Sequence, residues 1–249
     1  AAHGMSMVHG AVGRKRPLPP IVAKGDVDGV IVWPHLDDVS REAMKILRRH
    51  RVVYVMSGAS ERLSADRVRV NHGMVGRMAL NYLASKGCKR LAYITPSSLM
   101  SRINLCERWA AFSALAGEQG LSARQCIIKQ SHLDLLETDR DRDLLIEKTL
   151  RDFLSQGDLP TGMFVTCDAL TVKLYPILKT LGIIISRDLE IISCNNETSL
   201  LAGLDPRPVS IDIQPEQIGR KAVEQLRWRI LHPEDESQIT VEVPPRSLE

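Results

Sequence analysis

The chain has 249 residues, 44% of them hydrophobic and 25% charged, with a formal net charge of +3. That length buries a sizeable core in one large or two small domains, whereas the charge is too small and too scattered to mark a nucleic-acid surface. No apolar run approaches the roughly 20 residues that span a bilayer, and no basic-then-apolar leader opens the chain, so no membrane partner and a cytoplasmic location are expected.

Residues 1 to 26 carry no sustained period, and Leu18 to Ala23 reads as the tail of a helix entering a turn at Gly25. A regular rhythm follows. Asp28 to Trp33 (DGVIVW) reads as a buried strand, Asp38 to Arg49 as a helix with Val39, Ala43, Ile46 and Leu47 on one face, and Val52 to Met56 as a strand. Ser57 to Arg67 reads as a polar loop and Val68 to Val70 as a short strand. The spacing of Val75, Met78, Ala79, Tyr82 and Leu83 predicts a helix over 74 to 86, stopped at Gly87. Leu91 to Thr95 is a strand, 102 to 119 a helix, Cys126 to Lys129 a strand and Asp141 to Ser155 a helix.

Met163 to Thr166 and Leu189 to Ser193 are short apolar runs of the kind found in parallel sheets covered on both faces. Between them, helix 169 to 181 keeps its stripe of Leu170, Leu174, Ile177, Leu178 and Leu181 through Pro176, which predicts one kinked helix. Val209 to Ile213 alternates apolar and polar as a strand near an edge does, helix 215 to 231 opens on Pro215, and Ile239 to Val243 closes the series. Strand and helix alternate through almost the whole length, which predicts a doubly wound α/β architecture.

In open parallel sheets, ligands bind beyond the carboxyl ends of the strands. That rule selects Trp33, Pro34 and His35, then Ser57, Asn71 and His72, Pro96 to Ser98 with Ser97 among them, Gln130 to His132, Cys167 and Asp168, and Asn195 and Asn196. These are mostly neutral hydrogen-bonding groups with an aromatic ring, the kit for holding a small polar molecule such as a sugar. Phosphate-cradling, nucleophile-elbow and dinucleotide-binding motifs are all missing, so no catalytic residue, no enzyme and no cofactor are expected. Five cysteines form no close pairs, which suits a reducing compartment, and neither CxxC nor HxxxH spacing suggests a metal.

Several of these residues have a purely structural reading as well. Asp168, directly before a helix, caps it or touches ligand, or does both. Trp33 stacks on a ligand or covers the sheet edge, with packing slightly favoured. Arg108 is a solvated surface arginine by default, His72 a loop or helix-start residue, and Cys167 and Cys194 small buried hydrophobes.

Seven segments in order resemble the effector-binding domain of the lac and galactose repressor (LacI/GalR) family of bacterial transcription regulators. VDGVIV at 27 to 32 is similar to the family's strand signature, and NHGMVGRMALNYLASKGCKRLAYI at 71 to 94 to its DNxxGGxxAxxHLxxxGHRRIAFI. RWAAFSALAGEQGL at 108 to 121 resembles RxxGFxxALxxxGL, and PTGMFVTCDALTVKLYPILKTLGI at 160 to 183 resembles PTAxxxxNDxxAxGxxxxLxxxGI. ISCNNETSL is similar to the VVGFDDxxx turn, PVSIDIQPEQIGRKAVEQL to TTVxQPxxxxGxxAxxxL, and VPPRSLE to the closing strand.

The resemblance implies two doubly wound parallel-sheet subdomains with a ligand cleft between them, the N-terminal one incomplete. It assigns 27 to 90 plus 210 to 233 to the first subdomain, 91 to 209 plus 234 to 249 to the second, and leaves 1 to 26 as an irregular remnant or linker. It also implies effector contacts from Arg108, Asp168, Asn195 and Asn196. Cys167 stands where the family has the asparagine of its ND pair, and Asn195 and Asn196 stand where it has carboxylates, so an anionic or weakly polar effector becomes easier to accommodate.

The function expected on this basis is sensing of a small metabolite, a carbohydrate, by a homodimer. DNA would be contacted only through a headpiece absent from this chain, since no helix-turn-helix pattern precedes Val27. The alternative is a solute-binding protein of a sugar transporter.

Overall fold

The computed structural model describes residues 6–11, 17–33, 39–55, 65–96, 103–128 and 139–246. Expectations at Pro34, His35, Ser57, Ser97, Ser98 and Gln130 to His132 lie outside the described residues. The chain divides into two units, residues 1–70 with 215–243 and residues 71–214 with 244–249.

The first unit is built on a four-stranded, all-parallel sheet in the order β1-β2-β3-β9. Its strands are β1 (Val30–Val32), β2 (Val52–Val55), β3 (Asp66–Val70) and β9 (Thr240–Val243). Helix α1 (Pro20–Lys24) ends at Gly25, whose φ of 85° makes the left-handed turn that glycine accepts without strain. Helix α2 (Arg41–Leu47) starts at Ser40, whose hydroxyl accepts from the Ala43 N–H. Leu18, Val22, Ala43, Met44 and Leu47 pack with Val32, Val52 and Tyr54 as the core beside β1 and β2.

Helix α8 (Pro215–Leu231) lies against β1, β2, β3 and β9. Asp66, 2% exposed, joins three elements of this unit. Its carboxylate accepts from Arg229 Nε at 2.9 Å and Nη2 at 2.6 Å, from Gln225 Nε2 at 2.8 Å, and from the Ile239 N–H at 3.0 Å. Asp66 and Arg67, expected in a polar loop, are therefore the first residues of a strand. The Asp66 side chain reads as solvated because its partners lie more than 150 residues away in sequence.

The second unit is built on a five-stranded, all-parallel sheet in the order β5-β4-β6-β7-β8. Its strands are β4 (Arg90–Pro96), β5 (Ser122–Ile128), β6 (Gly162–Val165), β7 (Glu190–Cys194) and β8 (Val209–Ile211). Its helices are α3 (His72–Ser85), α4 (Ile103–Glu118), α5 (Asp139–Ser155), α6 (Asp168–Thr180) and the short α7 (Thr198–Leu201). Helix α6 runs through Pro176 as one helix.

Side chains alternate across each strand, so each sheet face collects its own core. Ala92, Ile94, Met163, Val165 and Ile191 meet Leu150, Leu174 and Leu178 of α5 and α6. On the other face Tyr93 makes edge contacts with Trp109, Phe112 and Phe164, at centroid distances of 5.2, 5.8 and 5.3 Å.

Two placements differ from the sequence expectation. The sequence reading put the crossings near Arg90, Ser210 and Pro233, whereas the units change over at 70/71, 214/215 and 243/244. Helix α3, assigned to the first subdomain, packs against α4, β6, β7 and β8 of the second unit. Strand β9, assigned to the second, pairs with β3, Val68 opposite Val241. No helix among the described residues is long and apolar enough to cross a membrane.

Candidate functional site

The carboxyl ends of β6 and β7 lie side by side, with Phe164 opposite Ile192 in the ladder. Thr166 and Cys167 follow β6, and Asn195 and Asn196 follow Cys194, the last residue of β7. Two polar networks are built at these ends, and alternation assigns them to opposite faces of the sheet.

The first network is centred on Arg108, from α4, which is only 4% exposed. Its Nε donates to His72 Nδ1 at 2.9 Å and its Nη1 to the Thr166 carbonyl at 3.1 Å, with the Cys194 thiol near it. An imidazole nitrogen that accepts carries the lone pair, so the His72 proton resides on Nε2. His72 is the first residue of α3, and Asn71 is its cap, its Oδ1 accepting from the Met74 N–H at 2.8 Å. Arg108 is therefore a buried group on the inner side of α4, not a solvated arginine. Its position depends on Gly76: a Cβ there would sit 2.3 Å from the Arg108 carbonyl oxygen, so only glycine lets α3 and α4 approach this closely.

The second network is centred on Asp168, which is fully buried. Its Oδ1 accepts from Ser210 Oγ at 2.8 Å and from Ser193 Oγ, and its Oδ2 accepts from the Glu197 N–H at 2.6 Å. Thr171 Oγ1 extends the network to Ser193 Oγ at 2.7 Å. The expected cap role is not what the geometry gives. Cys167 occupies the cap position of α6 without a side-chain bond, and the Asp168 carboxylate turns toward β7, β8 and the loop after β7.

That loop holds Asn195 and Asn196 at φ values of 113° and 60°, a region non-glycine residues rarely adopt and asparagine tolerates best. It is pinned by the Asn195 N–H to the Ile211 carbonyl at 2.9 Å and by the Asn196 N–H to Ser210 Oγ at 2.9 Å. Asn196 Oδ1 is buried and has no hydrogen-bond partner among the described residues. Asn196 also lines a cavity of about 410 Å³ with Thr198, Leu201, Arg207, Pro208, Val209 and Ser210.

The structure thus brings His72 to Arg108, and Asn195 and Asn196 to Asp168, all within the second unit. Trp33 is in the first unit, just past β1 and 75% exposed, so it does not cover the sheet edge. Ser97 lies outside the described residues. Ser193 and Ser210 were missed as site residues. In a strand whose apolar and polar residues alternate, no local pattern separates Ser210 from a solvent-facing serine, yet it is 3% exposed. A hydroxyl within an otherwise apolar strand, as in LEIIS, was the available signal.

At the ends of β6 and β7 stand the charged side chains Arg108, Asp168 and Glu197, the last accepting from Asn195 Nδ2 at 3.0 Å. Burial pushes the Cys167 thiol up to about 11 and raises the Cys194 thiol as well, so both are protonated thiols near neutral pH. Among the described residues no group of three or more His, Cys, Asp and Glu is placed to hold a metal ion.

The sequence profile of the periplasmic binding protein-like domain matches residues 80–249, more than half of the chain. No match is found among curated protein sequences. Among solved structures, a LacI family transcriptional regulator from Enterococcus faecium with bound ribose superposes with a TM-score of 0.71 at 19% identity, over 92% of this chain and 80% of that one. A LacI family transcriptional regulator from Mycobacterium smegmatis gives 0.71 at 20% identity, over 92% and 80%. A periplasmic binding ribose operon repressor protein from Lactobacillus acidophilus gives 0.67 at 16%, over 91% and 76%. At these identities the likeness establishes the fold, two parallel-sheet α/β units of the same kind. The profile match establishes the family: the chain belongs to the periplasmic binding protein-like domain family.

Proposed function

We propose that the chain is the effector-sensing domain of a bacterial transcription regulator, and that its effector is a small metabolite of the carbohydrate class. The observation that carries this reading is the buried Arg108, held by His72 and the Thr166 carbonyl at the carboxyl end of β6, inside the segment that matches the family. A guanidinium fixed at the end of β6, with a loop of two asparagines in a strained conformation following the neighbouring β7, makes these strand ends polar and preorganised. The regulators that share the fold, one of them with bound ribose, support the same assignment.

Arg108, Asn195 and Asn196 contact the effector in this reading, with His72 orienting the arginine. Asp168 acts through the loop it pins. Effector binding shifts an equilibrium between two conformations because it favours one of them, and in a homodimer that shift is passed to DNA-binding headpieces. The protein works in the cytoplasm.

A thermal-shift screen against neutral sugars, sugar acids, sugar phosphates and purines tests the proposal. A ligand at a hundred times its Kd stabilises by about 2.7 kcal/mol, which moves the melting temperature by several degrees. A hit among the carbohydrate classes that loses its shift in Arg108→Ala is the expected result. Hits confined to purines, or none at all, would overturn the carbohydrate assignment. A secretory leader encoded ahead of Ala1 would replace the regulator by a transport-linked binding protein, whereas a DNA-binding segment there is the expected finding.

A further inference from the structure

We infer that the effector is anionic, a sugar acid or sugar phosphate whose carboxylate or phosphate pairs with Arg108; this rests on the effector-site reading above. Arg108 is 4% exposed and, among the described residues, has no carboxylate within ion-pair distance. Its hydrogen-bond partners are an imidazole lone pair and a backbone carbonyl. Taking a charge out of water is expensive unless an opposite charge replaces the lost hydration. A lysine or histidine escapes by losing its proton, but a guanidinium stays charged.

Two carboxylates lie at these strand ends, and neither pairs with Arg108: Glu197 accepts from Asn195 Nδ2 at 3.0 Å, and Asp168 is committed elsewhere. Both its oxygens are taken, by Ser193, Ser210 and the Glu197 N–H, out of about four acceptor positions. The remaining groups, Cys167, Cys194, Asn195 and Asn196, bring no negative charge: burial keeps both thiols protonated, and the other two are amides. Together these observations leave the Arg108 guanidinium without a counter-ion among the described residues, which favours an oxyanion over a neutral sugar.

The geometry of the guanidinium adds direction. Nε is committed to His72, and one N–H of Nη1 to Thr166. Among the described residues, Nη2 and the second N–H of Nη1, which form the terminal edge, have no hydrogen-bond acceptor. Two oxygens of a carboxylate or phosphate match that edge in a charge-assisted, bidentate pair.

The test is calorimetric titration of the whole chain with matched pairs: ribose against ribose 5-phosphate, and glucose against gluconate and glucose 6-phosphate, with inorganic phosphate and acetate alone as controls. The expected result is that at least one anionic member binds about thirtyfold or more tightly than its neutral twin. In Arg108→Gln that preference collapses to near unity, and in Arg108→Lys it survives in part. Gluconate against glucose 6-phosphate distinguishes a carboxylate from a phosphate. Neutral sugars that bind as tightly as their anionic twins would overturn the inference and leave the carbohydrate-sensing reading standing. Binding of neither class overturns both. An anion preference that persists in Arg108→Gln removes Arg108 as its source. Should Arg108→Gln not fold, the wild-type pairs and Arg108→Lys still decide.

Discussion

Truncating Asp168 to alanine removes the acceptor of two hydroxyls and one backbone N–H in a fully buried place. A hydrogen bond to a charged group contributes about 1.5–3 kcal/mol, and a buried donor left without one carries its own penalty. Asp168→Ala is expected to lower unfolding free energy by about 3 kcal/mol or more. Asp168→Asn keeps an acceptor for Ser193 and Ser210 but turns an N–H toward that of Glu197, so about 2 kcal/mol is the expected loss. Urea denaturation of the two variants checks the order; an alanine variant as stable as wild type would sink the account. Tyr54 gives the opposite sign. Its hydroxyl is buried in β2 with no partner among the described residues, and burial raises its pKa. Removing an unsatisfied polar atom relieves a desolvation penalty, so Tyr54→Phe is expected to stabilise by about 1 kcal/mol in the same assay. At this scale the sequence exposed the residues at strand ends but not their partners. Asp168 stood out because it follows an apolar run. Ser193 and Ser210 did not, because a serine in a strand reads alike whether it faces water or a buried carboxylate.

Between elements, the contact of α3 with α4 links folding to the site. The Cβ of an alanine at Gly76 would meet the Arg108 carbonyl oxygen at 2.3 Å, its carbon at 3.1 Å and the Phe112 nitrogen at 3.1 Å. Backbone cannot yield as a flexible side chain can, so α4 must move away. Overpacking of this sort costs about 1–3 kcal/mol. Because Arg108 sits on the displaced turn, Gly76→Ala is expected to weaken effector binding beyond what its lower melting temperature explains, and calorimetry on the folded variant measures this. Undiminished affinity would show that Arg108 tolerates the shift. Elements were legible where burial on both faces makes a continuous apolar run, as in β2, β4 and β6, and where a stripe recurs every three or four residues, as in α6. Boundaries were not. β3 begins at Asp66 and β5 at Ser122, polar residues whose ladder partners no local pattern reveals. Helix α3 begins two residues before its apolar stripe suggests, because Asn71 supplies the cap.

At the scale of the whole chain the two units differ in how they are assembled. The first is made from two separate segments, 1–70 and 215–243, so that β9 finds β3 and Arg229 finds Asp66 across the entire second unit. This is why the sequence assigned β9 to the wrong side: a strand near the carboxyl end carries no local mark of which sheet it joins. All five strands of the second sheet, with α3 to α7, fall within the continuous stretch 71–214. Among the described residues, the short pairing of Asp212 with Arg246 and a bond from Gln214 Nε2 to the Pro244 carbonyl tie it to the closing segment. A fragment of residues 71–214 therefore keeps every strand pairing of its sheet and both helix-covered faces, and it exceeds the size at which a single core sustains a fold. It is expected to fold by itself, with parallel α/β circular dichroism and one cooperative thermal transition. A fragment of residues 1–70 keeps β1 to β3 but loses α8, which covers them, and leaves Asp66 buried or exposed without Arg229 and Gln225. It is expected to be unfolded. If 71–214 melts without cooperativity, or if 1–70 folds alone, the division of the chain into these units is wrong as a description of how it folds.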